Sequence, residues 1–273
     1  MSCMRTRTVL PFVLLALAAC RDGSAPASPD VDAGEVPATS AEPEPAPVTL
    51  DDVIERDPRY VIGISYPPGV SAYPGLAEAL YAYAQSARAE LMGAVEALEG
   101  PPTAPYDLSL GFRLLMQTPR VVAVAADGSV YTGGAHGQPL VARFVWLPER
   151  GEMLTAERLI TVPGGWEAVA REVSEQLAAA AQVRAIDGSL TPQERKSLLD
   201  SALRMIDEGT EADPGNFAQF EPVPAADGRI AGLRFVFPPY QVGPYADGVQ
   251  YAEVPAAKLL PYVAGEYRTL FAQ

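Results

Sequence analysis

LRFVFPPYQVGPYADG, residues 233–248, carries the transition on which the fold turns. Across residues 230–237, Ala231, Leu233, Phe235 and Phe237 share one face and Gly232, Arg234 and Val236 the other. That period of two is the signature of a half-buried strand. Pro238-Pro239-Tyr240 and Gly243-Pro244-Tyr245 then fix φ and withdraw amide donors, so the strand stops and the chain turns. Tyrosines on corners this stiff serve either as packing posts or as contact points.

Working outward, Asp227-Gly228 is a turn dipeptide and predicts a hairpin between residues 217–222 and 230–237. Residues 251–254 read as short and extended, and residues 255–263 predict a last short helix. Two helical patterns precede the hairpin. The first, residues 166–182, places Trp166, Val169, Val173, Leu177 and Ala181 on one face. The second opens with Thr191-Pro192-Gln193-Glu194, a capping box with proline in its first turn. Its apolar face is Leu199, Ala202, Leu203 and Ile206, and Gly209 closes it.

Nearer the start, Tyr60, Ile62, Ile64 and Tyr66 alternate as a strand, and residues 76–98 carry apolar side chains at helical spacing up to Gly100-Pro101-Pro102. Residues 108–116 predict a long strand. Residues 120–125 and 129–132 flank a second turn dipeptide, Asp127-Gly128, and so predict a second hairpin. Residues 140–147 are apolar on both faces and predict a strand in mid-sheet. The mixture is α+β, an antiparallel or mixed sheet packed against several helices.

The 273 residues open with Arg5 and Arg7, followed by an apolar run over 9–19 that is too short for a permanent membrane helix. Leu17-Ala18-Ala19-Cys20 resembles the lipobox of bacterial lipoproteins. The resemblance implies a signal peptide over 1–20 and a lipidated Cys20, a stable anchor when several acyl chains are added. Arg21, in place of an aspartate, implies the periplasmic face of the outer membrane. Residues 21–50, rich in Pro, Ala and acidic side chains, offer too little apolar surface to fold and read as a disordered tether. Residues 51–273 form the folded part, divisible into subregions 51–135 and 136–273.

Cys3 would leave with the signal and Cys20 would be lipidated, so no disulfide is available and the folded part must stand on its core. The formal charge is −14, and removal of Arg5 and Arg7 leaves −16. Such a balance argues against nucleic acid and anionic headgroups and favours a cationic partner.

Catalytic inventory is poor. His136 is the single histidine, which excludes a multi-histidine zinc site. No G-x-S-x-G elbow and no phosphate-binding glycine loop occurs. Asp187-Gly188-Ser189-Leu190-Thr191 with Glu194 imitates half a calcium loop, but Val183 and Ala185 stand where ligands are needed, and the capping box explains the same letters. The expectation is a protein without catalysis, metal or cofactor. The remaining unusual run is Tyr131-Thr132-Gly133-Gly134-Ala135-His136-Gly137, where paired glycines permit a kink beside the histidine.

Y-T-G-G-A-H at 131–136, N-F at 216–217, D-G at 227–228 and F-x-P-Y-x-x-x-P-Y-A-x-G at 237–248 together resemble the RsiV-like C-terminal domain family. The likeness covers residues 55–265, with Pro238 a departure from the family spacing. It implies an extracytoplasmic binding domain of the kind that binds lysozyme. The expected function is non-catalytic binding of a lysozyme-type or other cationic peptidoglycan hydrolase, as inhibitor, immunity protein or sensor. The alternative is a cell-wall glycan-binding accessory module. Tyr131, Gly133, Gly134, His136, Tyr240 and Tyr245 are the candidate binding residues.

Overall fold

Alternating apolar residues from Val53 onward assemble one six-stranded sheet in simple chain order. Its strands are β1 (Val53–Asp57), β2 (Tyr60–Ser65), β3 (Tyr106–Gln117), β4 (Val122–Tyr131), β5 (Gln138–Leu147) and β6 (Glu152–Met153). This is a computed structural model; it describes residues 48–186 and 189–273. The expected signal segment with Cys20, the part of the expected 21–50 tether up to residue 47, and Asp187 and Gly188 of the half calcium loop lie outside the described residues. All neighbouring pairs are antiparallel except β2 with β3. Parallel strands need a long crossover, here supplied by helix α1 (Pro74–Glu96).

Short helix α2 (Ala156–Leu159) and longer helices α3 (Gly165–Arg184) and α4 (Pro192–Gly209) follow. A second, antiparallel sheet then joins β7 (Phe220–Pro224), β8 (Ile230–Phe237) and β9 (Gln250–Pro255). Helix α5 (Ala256–Leu259) and a 3-10 turn at Gly265–Leu270 end the chain. The architecture is α+β, as the alternation predicts.

The two faces of the large sheet carry separate cores. On one, Leu76, Leu80, Leu91 and Val95 of α1 pack on Ile62, Leu108, Val122 and Val124. On the other, Met116, Ala123, Val145 and Leu147 meet Val173 and Leu177 of α3 and a cluster of Phe217, Phe235, Phe237 and Tyr267. At roughly 2 kcal/mol per fully buried large apolar side chain, these two layers supply most of the folding drive.

Five expectations need correction. Asp127-Gly128 is no turn: β4 runs through it, pairing Gly111 with Asp127 and Leu110 with Gly128. A Cβ at Gly128 would overlap the Ser109 carbonyl oxygen, and Leu110 Cα lies at 2.9 Å from that position. Glycine is there for close approach of two backbones. Second, β5 is the penultimate strand rather than a central one, although both its faces are covered; β4, with Val122 to Ala126 all buried, is the interior strand. Third, β7 begins at Phe220, because Phe217 belongs to a 3-10 turn over Pro214–Phe217. Fourth, the last helix stops at Leu259 instead of continuing to Val263, whose backbone bridges Ile160. Fifth, Gly232 and Val236 are buried, leaving Arg234 as the exposed residue of β8.

Strand β1 was not legible, because only five residues pair before Pro58-Arg59 turns the chain. The helix starts fare better. Thr191 Oγ1 accepts from the Glu194 amide at 3.3 Å, and Glu194 Oε2 accepts from the Thr191 amide at 2.8 Å, the reciprocal capping box.

Arg143 joins the layers. Its side chain is 1% exposed and donates from Nε to Glu221 Oε1 of β7 at 2.6 Å and from Nη1 to Asp127 Oδ1 at 2.9 Å. Nη1 also donates to the carbonyl oxygens of Ala142 and Ala126. Gln219 Oε1 accepts from the Arg143 amide at 2.7 Å, occupying the backbone of β5 that faces away from β4. A buried guanidinium is tolerated only when it is paired in this way.

Candidate functional site

The site forms where the β4–β5 loop meets the proline–tyrosine corner after β8. That corner is tightly specified. Pro238 O accepts from the Gln241 amide at 3.1 Å, closing a four-residue turn with Pro239 second and Tyr240 third. Tyr240 has φ 75, the one positive φ of a non-glycine residue among those described. In turns with proline second and positive φ third, glycine or asparagine normally takes the third place. A tyrosine there costs on the order of 1 to 3 kcal/mol.

Surrounding groups hold this conformation. Gly243 O accepts from the Tyr240 amide at 2.9 Å. Gln241 Nε2 donates to the carbonyls of Gly209 at 3.0 Å and Asn216 at 2.8 Å, tying the corner to the end of α4. Val242 is buried in the core beneath.

The corner presents its tyrosines to His136. The Tyr245 ring stacks on the imidazole with centroids 3.9 Å apart and planes 18° from parallel. Tyr240 Oη lies 3.1 Å from His136 Nε2, and His136 Nδ1 lies 3.1 Å from Gly137 O. A carbonyl only accepts, so Nδ1 carries the proton; in the neutral ring Nε2 then accepts from the tyrosine hydroxyl. The two tyrosine rings are 5.8 Å apart. Tyr240 is 56% exposed and Tyr245 36%, and His136 is exposed too. The result is a solvent-facing aromatic platform whose three rings are already fixed against one another.

The other three candidates belong to the start of the same loop. Gly133 (φ 98) and Gly134 (φ 92) make the kink, and Tyr131 Oη donates to Gly134 O at 3.3 Å. With Tyr106, Pro101 and Pro102 they line a groove of about 310 Å³ at the exit of α1. Thus His136, Tyr240 and Tyr245 come together, while Tyr131, Gly133 and Gly134 shape the loop that carries the histidine. Sequence reasoning missed Tyr106, which enters only because β3 pairs beside β4. It also missed Arg143, whose one signal was a lone charge inside an otherwise apolar strand.

Among the described residues, the groups in hydrogen-bond reach of His136 are Gly137 O and Tyr240 Oη. Among the described residues no group of three or more His, Cys, Asp or Glu side chains could hold a metal ion. No helix among them is long and apolar enough to cross a membrane.

No family model matches the chain, and no curated protein matches it in sequence. Solved structures do match in shape. A DUF3298 family protein from Pseudomonas aeruginosa PAO1 superposes with a TM-score of 0.51 at 14% identity, covering 84% of this chain and 98% of that one. A member of the same family from Bacteroides fragilis aligns with a TM-score of 0.49 at 15% identity, over 80% of this chain and 94% of that one. At such identity the likeness to the DUF3298 protein from Pseudomonas is one of fold alone.

Proposed function

We propose that the protein is a periplasmic lipoprotein that binds, without catalysis, a lysozyme-type or other peptidoglycan hydrolase, as inhibitor, immunity protein or sensor. The observation that carries this reading is Tyr240. A tyrosine occupies a backbone position where glycine would relieve strain, and its ring is spent on an exposed platform rather than on the core. Strain of this kind, kept at a surface, points to recognition. Aromatic anchors that are fixed before binding lose little entropy on association and carry a large share of interface energy. The charge of −14 supplies the attraction for a basic enzyme. The RsiV-like resemblance of the loop and corner motifs supports the same class of partner.

The test is titration calorimetry of the purified mature protein against a C-type lysozyme and against any hydrolase encoded beside its gene. Binding should weaken as salt rises, because surface charge attraction is screened. Y240A or Y245A should raise Kd about 30-fold, equivalent to roughly 2 kcal/mol for an aromatic anchor. Y240G separates function from folding: it should reduce binding equally while Tm holds or rises. Absence of binding to every hydrolase at low salt would refute the proposal. The exposed ring faces also suit sugar stacking, so retention of the protein on isolated peptidoglycan would replace this reading by the accessory-module one.

A further inference from the structure

The outer strands of a sheet carry unpaired amides and carbonyls, and folded proteins cover or blunt such edges. Three of the edges here are treated in that way. Strand β6 is only two residues long. Strand β7 contains Pro222 and Pro224, which lack amide donors. On β9, Gln176 of α3 bonds both the amide and the carbonyl oxygen of Glu253, at 3.0 and 2.9 Å. Strand β1, VIERD, is the remaining edge, and it has no cap, proline or bulge. Asp57 and Tyr60 close its turn onto β2. Alternation therefore directs the backbone of Val53, Glu55 and Asp57 to β2 and that of Ile54 and Arg56 outwards. The Arg59 carbonyl, which accepts from the Tyr106 amide at 2.8 Å, fixes the same alternation from the far side of β2. Among the described residues nothing bonds to the outward groups of Ile54 or Arg56.

The side chains say what pairs there. Ile54 is 77% exposed. Its neighbour across β2 is Gly63, where a Cβ would meet nothing within 4 Å, so its own subunit gives it no cover. Arg56 is exposed and belongs to no ion pair among the described residues. Asp52, also exposed, bonds only the Tyr66 amide, through Oδ1. A second copy of β1, antiparallel and related by a two-fold axis, meets this edge in few registers. Centred on Glu55 it opposes two carboxylates, centred on Arg56 two guanidiniums, and centred on Val53 it leaves Ile54 facing an aspartate. Centred on Ile54 it sets isoleucine against isoleucine and, on both sides, Arg56 against Asp52 of the second copy. In that register the outward backbone groups of Ile54 and Arg56 also meet at the join. Asp57 then falls opposite Asp51, but it already holds Arg59 as counter-ion at 2.9 Å. The net charge of −14 opposes association, yet charges further apart than about 10 Å are largely screened at 0.1 M salt.

We infer that β1 pairs antiparallel with β1 of a second copy of this chain in the register centred on Ile54, joining two six-stranded sheets into one. A single short strand pair buries less than the about 1,000 Å² of a stable interface, so the dimer is weak and reversible. The inference uses none of the platform residues and stands or falls independently of hydrolase binding.

The test is sedimentation equilibrium up to millimolar concentration, on the purified mature protein carrying Cys20→Ser so that no acyl chain drives association. A concentration-dependent dimer is expected. R56D opposes carboxylates across the join and should weaken it about tenfold or more, and D52R should do the same with guanidiniums. D52R/R56D exchanges the charges and should restore the dimer to about the wild-type strength, because the pairing is reciprocal. Amide hydrogen exchange followed by NMR reads the backbone directly. The Ile54 and Arg56 amides should gain protection as protein concentration rises, while Glu55, bonded to β2, is protected throughout. A monomer at millimolar concentration, R56D associating like wild type, failure of the double variant to recover, or exchange at Ile54 and Arg56 that ignores concentration would each overturn the inference.

Discussion

Two of the chain's Asp-Gly dipeptides, 127–128 and 227–228, do opposite things. At Asp227-Gly228 the chain reverses: Gly228 has φ 78, its amide bonds to Ala225 O at 3.0 Å, and Asp227 pairs with Arg229 two residues on. At Asp127-Gly128 the chain runs straight. Gly128 lies against the backbone of β3, and Asp127 reaches across to a buried arginine of β5. One glycine is present for its φ, the other for its missing side chain. One aspartate serves its own turn, the other serves a contact between strands. Local preference is a weak prior that packing overrides when a neighbouring strand leaves no room for anything else.

The sharpest way to break the comparison is through the partner of Asp127. Arg143→Ala should cost about 4 kcal/mol, because it leaves the Glu221 carboxylate, 10% exposed, with only the longer pair to Arg234 at 3.7 Å. Urea unfolding measures this. Replacing Arg143 by Met together with Glu221 by Leu should recover part of the loss, since an apolar pair leaves no orphan charge. The equivalent change at the turn, Arg229→Ala, should be barely detectable, because that pair is solvent-facing.

Next in size are the glycines. Gly128→Ala should destabilise by about 3 kcal/mol, since the added carbon meets backbone that cannot swing aside. Gly228→Ala should cost only about 1 kcal/mol, because an added carbon meets only Thr118 Cγ2 at an ordinary 3.8 Å and the positive φ is what is penalised. At roughly 2 to 4 °C in Tm per kcal/mol for a domain of this size, calorimetry distinguishes the two. Equal losses would mean that β4 is not continuous through Gly128.

The smallest effect is one of pH. The side-chain hydrogen bond from Arg229 holds the Asp227 carboxyl below the ordinary aspartate range. A carboxyl whose folded pKa is depressed contributes stability above its unfolded value, about 3.9, and loses it as pH falls through the folded one. Asp227→Asn should therefore lower Tm slightly at pH 7 and leave it unchanged near pH 2. A Tm difference that grows on acidification would reverse the sign and refute the pairing.

The comparison also explains which parts of the fold could be read in advance. Helices α3 and α4 and strand β8 were legible because periodicity, caps and proline stops are written in consecutive residues. Strand β1 and the continuity of β4 were not, because each depends on a neighbour distant in sequence. The candidate site divides in the same way. Tyr240, Tyr245 and His136 stood out as aromatics beside proline and glycine, yet nothing local said that positions 104 residues apart would share a hydrogen bond.

Sequence alone determined the α+β mixture, the placement of most elements, the acidic character and the two rigid tyrosine corners, since each of these follows from composition, period or proline geometry within a short window. Only the tertiary structure decided that Asp127-Gly128 is strand, that Arg143 bridges the layers and that three rings form one platform. Each of those outcomes depends on which backbones lie side by side, and contact between distant segments is chosen by the packing of the whole chain.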